Sequence, residues 1–155
     1  MTYKYTFQEY NSEKMARAVG VGLPISYKQS REICHFIKNR PLEDAKKILN
    51  RVLEMKQAIP YKRFDQNIPH RSGDMAAGRY PQNACKEILR LVESAESNAN
   101  SKGLKDLFIN HMNVHRAASG PRGGRTDGEA KRAHVEIVVS EKKVEKKQYV
   151  KKSRK

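Results

Sequence analysis

The chain reads as a mixed fold, three helices with a few strands, on three observations. Apolar residues recur at helical spacing in three separate stretches between Tyr27 and Ser101. Two short runs near the C-terminal third, 107–114 and 134–140, are apolar and β-rich, the second alternating with period two. Between the second and third helical stretches lies a segment punctuated by proline and glycine with no sustained period.

Residues 2–10 are polar and aromatic without clean periodicity and are read as irregular. Met15–Leu23 (MARAVGVGL) is a strand candidate through Val19, Val21 and Leu23. Gly20 and Gly22 weaken it, and Pro24 ends it. Ser26-Tyr27-Lys28-Gln29 has the Ser-x-x-Gln form of a capping box, predicting a helix from about Tyr27 to Asn39 with Ile33, Phe36 and Ile37 inward. Lys28, Arg31 and Lys38 fall off that stripe. Pro41 suits the first turn of a second helix, whose stripe is Leu42, Ala45, Ile48, Leu49, Val52 and Leu53. Pro60 to Tyr80 is a long loop with four Lys/Arg and His70, and loops of that length inside a domain usually serve a function or stay disordered. Pro81 opens a third helix with Ala84, Ile88, Leu91, Val92 and Ala95 on one face, fading towards Gly103. Leu107–Val114 and His134–Ser140 are the remaining strands, the latter with Val135, Ile137 and Val139 alternating against Glu136 and Ser140. The Gly/Arg-rich stretch between them makes an extended hairpin with a basic tip. Ile33, Ile37, Ile48, Leu49, Ile88, Val92, Val135 and Ile137 are assigned to the core.

Charge narrows the function. The 155 residues carry 32 Lys+Arg against 17 Asp+Glu, a formal net charge of +15, so polyanions are the first partners to consider. From His111 to Lys155 there are 13 bases and 5 acids, and 8 of those bases lie in the last 15 residues. That tail has too little apolar content to offset its ordering entropy and is expected to be mobile when free. It reads equally as a solubilising extension or as an arm that folds onto phosphate. No 18-residue apolar run spans a membrane, and residues 1–10 lack the apolar core of a signal peptide. Cys34 and Cys85 stand alone, without a CxxC pair, and are read as small buried hydrophobes in a reducing compartment.

Catalytic motifs are missing. The histidines at 35, 70, 111, 115 and 134 have no H-E-x-x-H-like spacing. His111 and His115 share a strand face but stand about 13 Å apart along it, too far to share a metal. Gly120–Gly128 lacks the G-K-[ST] ending of a phosphate-binding loop, and no G-x-S-x-G occurs. The carboxylates, such as Glu43 near Lys47, are expected on solvated helix faces. No enzyme, metal site or cofactor is expected. Basic residues in three separate regions suit a protein set among RNA helices better than one reading DNA with a single recognition helix. The competing reading is a general nucleic-acid-coating or regulatory protein that gains its affinity from the tail.

Four segments resemble the universal large-subunit ribosomal protein L twenty-two family in its archaeal and eukaryotic form, called L seventeen in eukaryotes. SYKQSREICHFIKNRPLEDAKKIL is similar to the family's first two helices, with Ser26, Lys28, Ile37, Lys38 and Ala45 in matching places. PYKRF…HRSGDMAAGRYPQNACKEIL is similar to its basic loop and third helix, GRYP being the most specific piece. LVESAESNANSKGL is similar to that helix's end, and INHMNVHRAASGPRGGRT…HVEIVV to the long hairpin. The likeness covers about Ala16 to Val139. Family members usually carry Pro-Arg-Ala-x-Gly-Arg-Ala near the hairpin tip. Here Pro121-Arg122-Gly123-Gly124-Arg125-Thr126 stands in its place, one residue shorter and without the alanines.

The resemblance implies an α+β fold: three helices packed on a small antiparallel sheet, with two strands extended into a long basic β-hairpin. It implies one domain over residues 1–140, with the hairpin at about 107–140 and a basic tail at 141–155. It implies a cytoplasmic structural constituent of the large ribosomal subunit that binds its RNA and aids assembly. The globular part would lie near the tunnel exit, and the hairpin would run towards the tunnel. Neighbouring ribosomal proteins would be partners, with the nascent chain near the tip and no membrane or homo-oligomer. The residues expected on RNA are Lys28, Arg31, Lys38 and Arg40 from the helices, and Lys62, Arg63, His70, Arg71, Arg79 and Tyr80 from the loop. His115, Arg116, Arg122, Arg125, Lys131 and Arg132 come from the hairpin, and Pro121, Arg122, Gly123, Gly124 and Arg125 form its tunnel-proximal tip.

Overall fold

The last strand among the described residues runs up the middle of the sheet. A computed structural model describes residues 3–123 and 128–141, and places β1 (Met15–Leu23), β7 (Ala133–Ser140) and β4 (Phe108–Arg116) side by side in that order. Both pairings are antiparallel, with Ala18 opposite Ile137 on one side and Met112 opposite Ile137 on the other. Three helices, α1 (Tyr27–Ile37), α2 (Leu42–Leu53) and α3 (Gln82–Asn100), close one face of the sheet. The fold is α+β, as expected, and every residue assigned to the core from the sequence is buried.

Each element ends where local chemistry ends it. In β1 the pairing shifts between Gly20 and Leu23, and Gly22 adopts φ +65, which glycine reaches without a Cβ penalty. A Cβ on Gly20 would stand 2.6 Å from the Leu23 Cδ1 atom, so a larger residue there would push the Leu23 side chain aside. Ser26 caps α1 by position only. Its hydroxyl makes no cap bond, and the Ser30 hydroxyl donates back to the Ser26 carbonyl at 2.8 Å instead, so the expected capping box does not form. Asn39, at φ 61, turns the chain into α2, and its N–H donates to the Ile109 carbonyl at 2.9 Å. The Leu42 N–H reaches the Leu107 carbonyl at 2.9 Å, which stitches the α1–α2 turn to the start of β4. The loop after α2 is closed at its base by a two-residue ladder, β2 (Ile59–Pro60) with β3 (Gly78–Arg79), and by a bridge between His70 and Ala77.

Two expectations change. β7 was expected to bury one face. In the structure both faces of the strand are covered, and Glu136 is fully buried. The second face is roofed by the irregular N-terminal segment: the Thr6 N–H donates to Glu136 Oε2 at 3.1 Å, and the Phe7 ring lies 5.2 Å from the His111 ring. The hairpin, expected as two sheet strands prolonged together, is described as two ladders. The main one stops at Arg116 with Ala133, and a second pairs β5 (Gly120–Arg122) with β6 (Gly128–Ala130). From one ladder to the next the chain takes four steps on the first strand and three on the second, so the register breaks there. Residues 124–127 and the tail, 142–155, lie outside the described residues.

Replacing Glu136 by Ala should cost about 1–3 kcal/mol, because it removes the buried acceptor that holds the Thr6 N–H and faces the His111 ring nitrogen. Trypsin cleavage after Lys14 should accelerate as the N-terminal segment lifts, and Glu136→Gln, which keeps an acceptor, should fall between. An Ala variant as stable and as protease-resistant as the parent would contradict this account.

Candidate nucleic-acid interface

The site is built on the outward side of α1. Its inward side is fixed by Ile33, Cys34 and Ile37, which sends Lys28, Arg31, His35 and Lys38 towards solvent or the helix flanks. Tyr27, in the first turn, is where three regions of the chain meet. The Arg31 guanidinium donates to its hydroxyl at 3.0 Å, and the Arg116 guanidinium from β4 lies 5.4 Å from its ring centroid. The Phe64 ring, from the loop, packs edge-on at 6.0 Å. Lys28 sits 3.7 Å from Asp65 of the same loop, an exposed pair that contributes little to stability.

One helical turn on, Glu32 is buried and accepts three successive loop N–H groups. Lys62 donates at 3.1 Å, Arg63 at 3.0 Å and Phe64 at 2.9 Å. This puts Lys62 and Arg63 beside Arg31 and His35, around a cleft of about 190 Å³. A second cleft, about 330 Å³, continues along the C-terminal end of α1 between His35, Lys38, Arg40 and Lys62. There Arg40 is held by its own turn, donating to the Phe36 carbonyl at 2.9 Å with its guanidinium 4.8 Å over the Phe36 ring. A third, also about 330 Å³, lies at the other end between Tyr27, Lys28, Arg116, Lys131 and Arg132. Residues 28, 31, 38, 40, 62, 63, 116, 131 and 132 thus form one basic belt, although the sequence scatters them over more than a hundred positions.

The other expected residues lie apart from this belt. Arg71 stacks over the Tyr80 ring at 5.5 Å near the β2–β3 ladder, with Arg79 in that ladder and His70 exposed on the loop. His115 is half-buried on the roofed face of the sheet, 3.8 Å from Glu136. His111 reaches the same Glu136 oxygen at 3.0 Å, so side chains from well-separated positions on β4 converge on one carboxylate. Even so, no group of three or more His, Cys, Asp or Glu among the described residues is arranged to hold a metal. Pro121, Arg122 and Gly123 are exposed at the end of β5, while Gly124 and Arg125 lie outside the described residues.

Sequence reasoning missed Tyr27, Glu32, His35 and Phe64. It also expected carboxylates on solvated faces, which Glu32 and Glu136 contradict. The missed signal was a lone acid in a helix whose other charged residues, Lys28 and Arg31 in front of it, are basic. Beneath the belt, Cys34 and Cys85 are buried as expected. Burial pushes the Cys34 thiol up, and the Cys85 thiol up to about 12. The Tyr61 hydroxyl is also pushed up to about 12, chiefly by burial.

The family model described as "Ribosomal protein L22p/L17e" matches residues 18–140. The chain belongs to this family. A relative from Methanococcoides burtonii, named large ribosomal subunit protein uL22, is 40% identical over 146 residues, covering 89% of this chain and 96% of its own. A protein of the same name from Methanopyrus kandleri is 37% identical over 151 residues, 90% of this chain and 95% of its own. Another, from Methanoculleus marisnigri, is 42% identical over 139 residues, 83% and 91% respectively. The family match spans all three helices and the three-stranded sheet except the first residues of β1.

The thiols give a pH prediction for this family member. A thiol pKa raised in the folded state costs nothing while both states keep the proton. Stability should therefore be unchanged below about pH 8 and fall as pH climbs from 9.0, the ordinary thiol value, towards 12. Urea midpoints measured across that window should shift less in Cys85→Ala than in the parent. Equal alkaline slopes would remove the thiol from the explanation.

Proposed function

We propose that the chain is a structural, non-enzymatic component of the large ribosomal subunit, working in the cytoplasm by binding large-subunit RNA. The observation that carries this reading is the belt: bases from α1, the 61–77 loop and the root of the hairpin meet on one side of the molecule around Tyr27 and Glu32. Within the belt the acids are Glu32, Asp65 and Glu129, outnumbered by the bases, whereas Glu43, Asp44, Glu96 and Asp106 line a separate cleft between α2, α3 and the start of β4. A surface so divided suits backbone and 2′-hydroxyl contacts with folded RNA on one side and protein neighbours on the other. Arg side chains supply bidentate phosphate donors, and Tyr80 with Arg71 supplies a further stacked pair at the loop end.

In this reading the β5–β6 ladder belongs to an arm that passes through RNA towards the nascent-chain tunnel, with Arg122 and Arg125 nearest to it. The globular part lies near the exit, and neighbouring ribosomal proteins complete its surroundings. Names of the relatives support the ribosomal placement. The chain aids subunit assembly by joining RNA segments that meet at the belt, and it acts as a single copy.

Filter binding to a large-subunit RNA fragment across a salt series tests this. The quadruple variant of Lys28, Arg31, Lys62 and Arg63 to Ala should flatten the log–log salt slope by up to about 3.6, at roughly 0.7–0.9 per phosphate lost, while the circular dichroism spectrum stays the same. Duplex DNA of equal length should bind more weakly than the RNA; equal affinity would favour the coating protein. Replacing Arg122 and Arg125 by Ala should leave the fold intact but slow incorporation into subunits, since Arg122 makes no core contact.

A further inference from the structure

We infer that Glu32 is the positioning residue of this RNA interface, a buried carboxylate that sets Lys62 and Arg63 in place before RNA arrives. The inference rests on the RNA-binding reading above. Three consecutive main-chain N–H groups pointing at one centre form an anion-binding nest, the arrangement that elsewhere holds phosphate. Here the nest at residues 62–64 is already filled. Glu32 Oε1 takes the Arg63 and Phe64 N–H groups at 3.0 and 2.9 Å, and Oε2 takes the Lys62 N–H at 3.1 Å. Glu32 is 3% exposed, so this site is closed to an RNA phosphate. RNA must therefore be met by the side chains that the clasp displays, not by the main chain it occupies.

Electrostatics points the same way. Of the residues around the cleft at this point, Arg31, His35, Lys62 and Arg63 are basic and Glu32 is the one acid. Without its negative charge, three permanent cations would crowd together and repel, and the loop backbone would lose three charge-assisted hydrogen bonds. The loop is otherwise joined to α1 here by the exposed Lys28–Asp65 pair and the Tyr27–Phe64 ring contact, both weak. Glu32 thus fixes the main chain of a basic loop in advance, and binding no longer bears the cost of ordering that stretch of backbone.

Full-length protein carrying E32Q tests this. Gln keeps the shape but turns an N–H₂ group towards N–H donors. Amide hydrogen exchange at Lys62, Arg63 and Phe64 should quicken in the free protein, while the β7 amides keep their protection. Affinity for the large-subunit RNA fragment should fall about tenfold, the order of the cost of fixing one residue's backbone on binding. A positioning role also predicts non-additivity. Placed in a K62A/R63A background, E32Q should cost less than about twofold. The same tenfold loss in that background, or an E32Q protein that binds as the parent does, overturns the inference. Should E32Q fail to fold, E32D takes its place. One methylene shorter, it should lose part of the amide protection and part of the affinity, and an E32D protein unchanged in both overturns the proposal. A parent protein that shows no preference for the RNA fragment would instead defeat the RNA reading, while the amide exchange would still report on the clasp.

Discussion

A buried carboxylate holds the basic surface together. Glu32 lies under α1 and accepts three loop N–H groups, and a buried charge of this kind is tolerated only when its lone pairs are filled. Each such bond to a charged acceptor contributes about 1.5–3 kcal/mol. The loop cannot wander without breaking them together. A chain with a net charge of +15 otherwise tends to spread its cations apart. Here one internal anion lets Arg31, His35, Lys62 and Arg63 share a cleft. Tyr27 completes the arrangement at the helix start, where its hydroxyl and ring engage arginines from two elements.

The sheet obeys a similar constraint on its roofed side. The middle strand, β7, carries buried residues on both faces, Glu136 and Val138 on one and Val135, Ile137 and Val139 on the other, so both need a cover. The helices supply one. The N-terminal segment supplies the other, anchored by Thr6 on Glu136 and by a run of aromatic rings: Arg17 is held between Tyr5 and Tyr10, at 4.6 and 4.5 Å from their centroids. Lys102, just past α3, ties the same segment down by donating to the Tyr10 hydroxyl at 2.9 Å and to the Ser12 and Met15 carbonyls at 2.9 and 3.0 Å. The β5–β6 ladder is continuous with this packing, since β4 leads into it and β7 leaves it.

The sequence displayed the regular elements clearly. Helical stripes such as Leu42, Ala45, Ile48, Leu49 and Val52 proved buried, and β1 has the bounds that its alternation and Pro24 suggested. Periodicity reports which side of an element is apolar, so it served wherever an element faces a single core. It failed at Glu136 because the second cover comes from residues 3–14, more than a hundred positions away and without a period of their own. It failed at Glu32 for a related reason: the carboxylate is satisfied by backbone N–H groups, which carry no residue-type signature. The basic residues of the belt were all legible as bases. Their assembly into one surface was not, because it depends on the Glu32 clasp and on the contacts around Tyr27. Ser26, by contrast, had the right signature and the right position but a different partner, the Ser30 hydroxyl filling its carbonyl in place of a side-chain cap.

Sucrose-gradient sedimentation of cell lysate, in low and then about half-molar salt, tests the central claim directly when this protein is followed by immunoblot. A belt of bases set into folded RNA should keep the protein with the large subunit at both salts, although screening shortens to about 4 Å at the higher one. Release into the top fractions at modest salt, or absence from the large subunit throughout, would contradict the account and leave the protein a loosely adhering polycation.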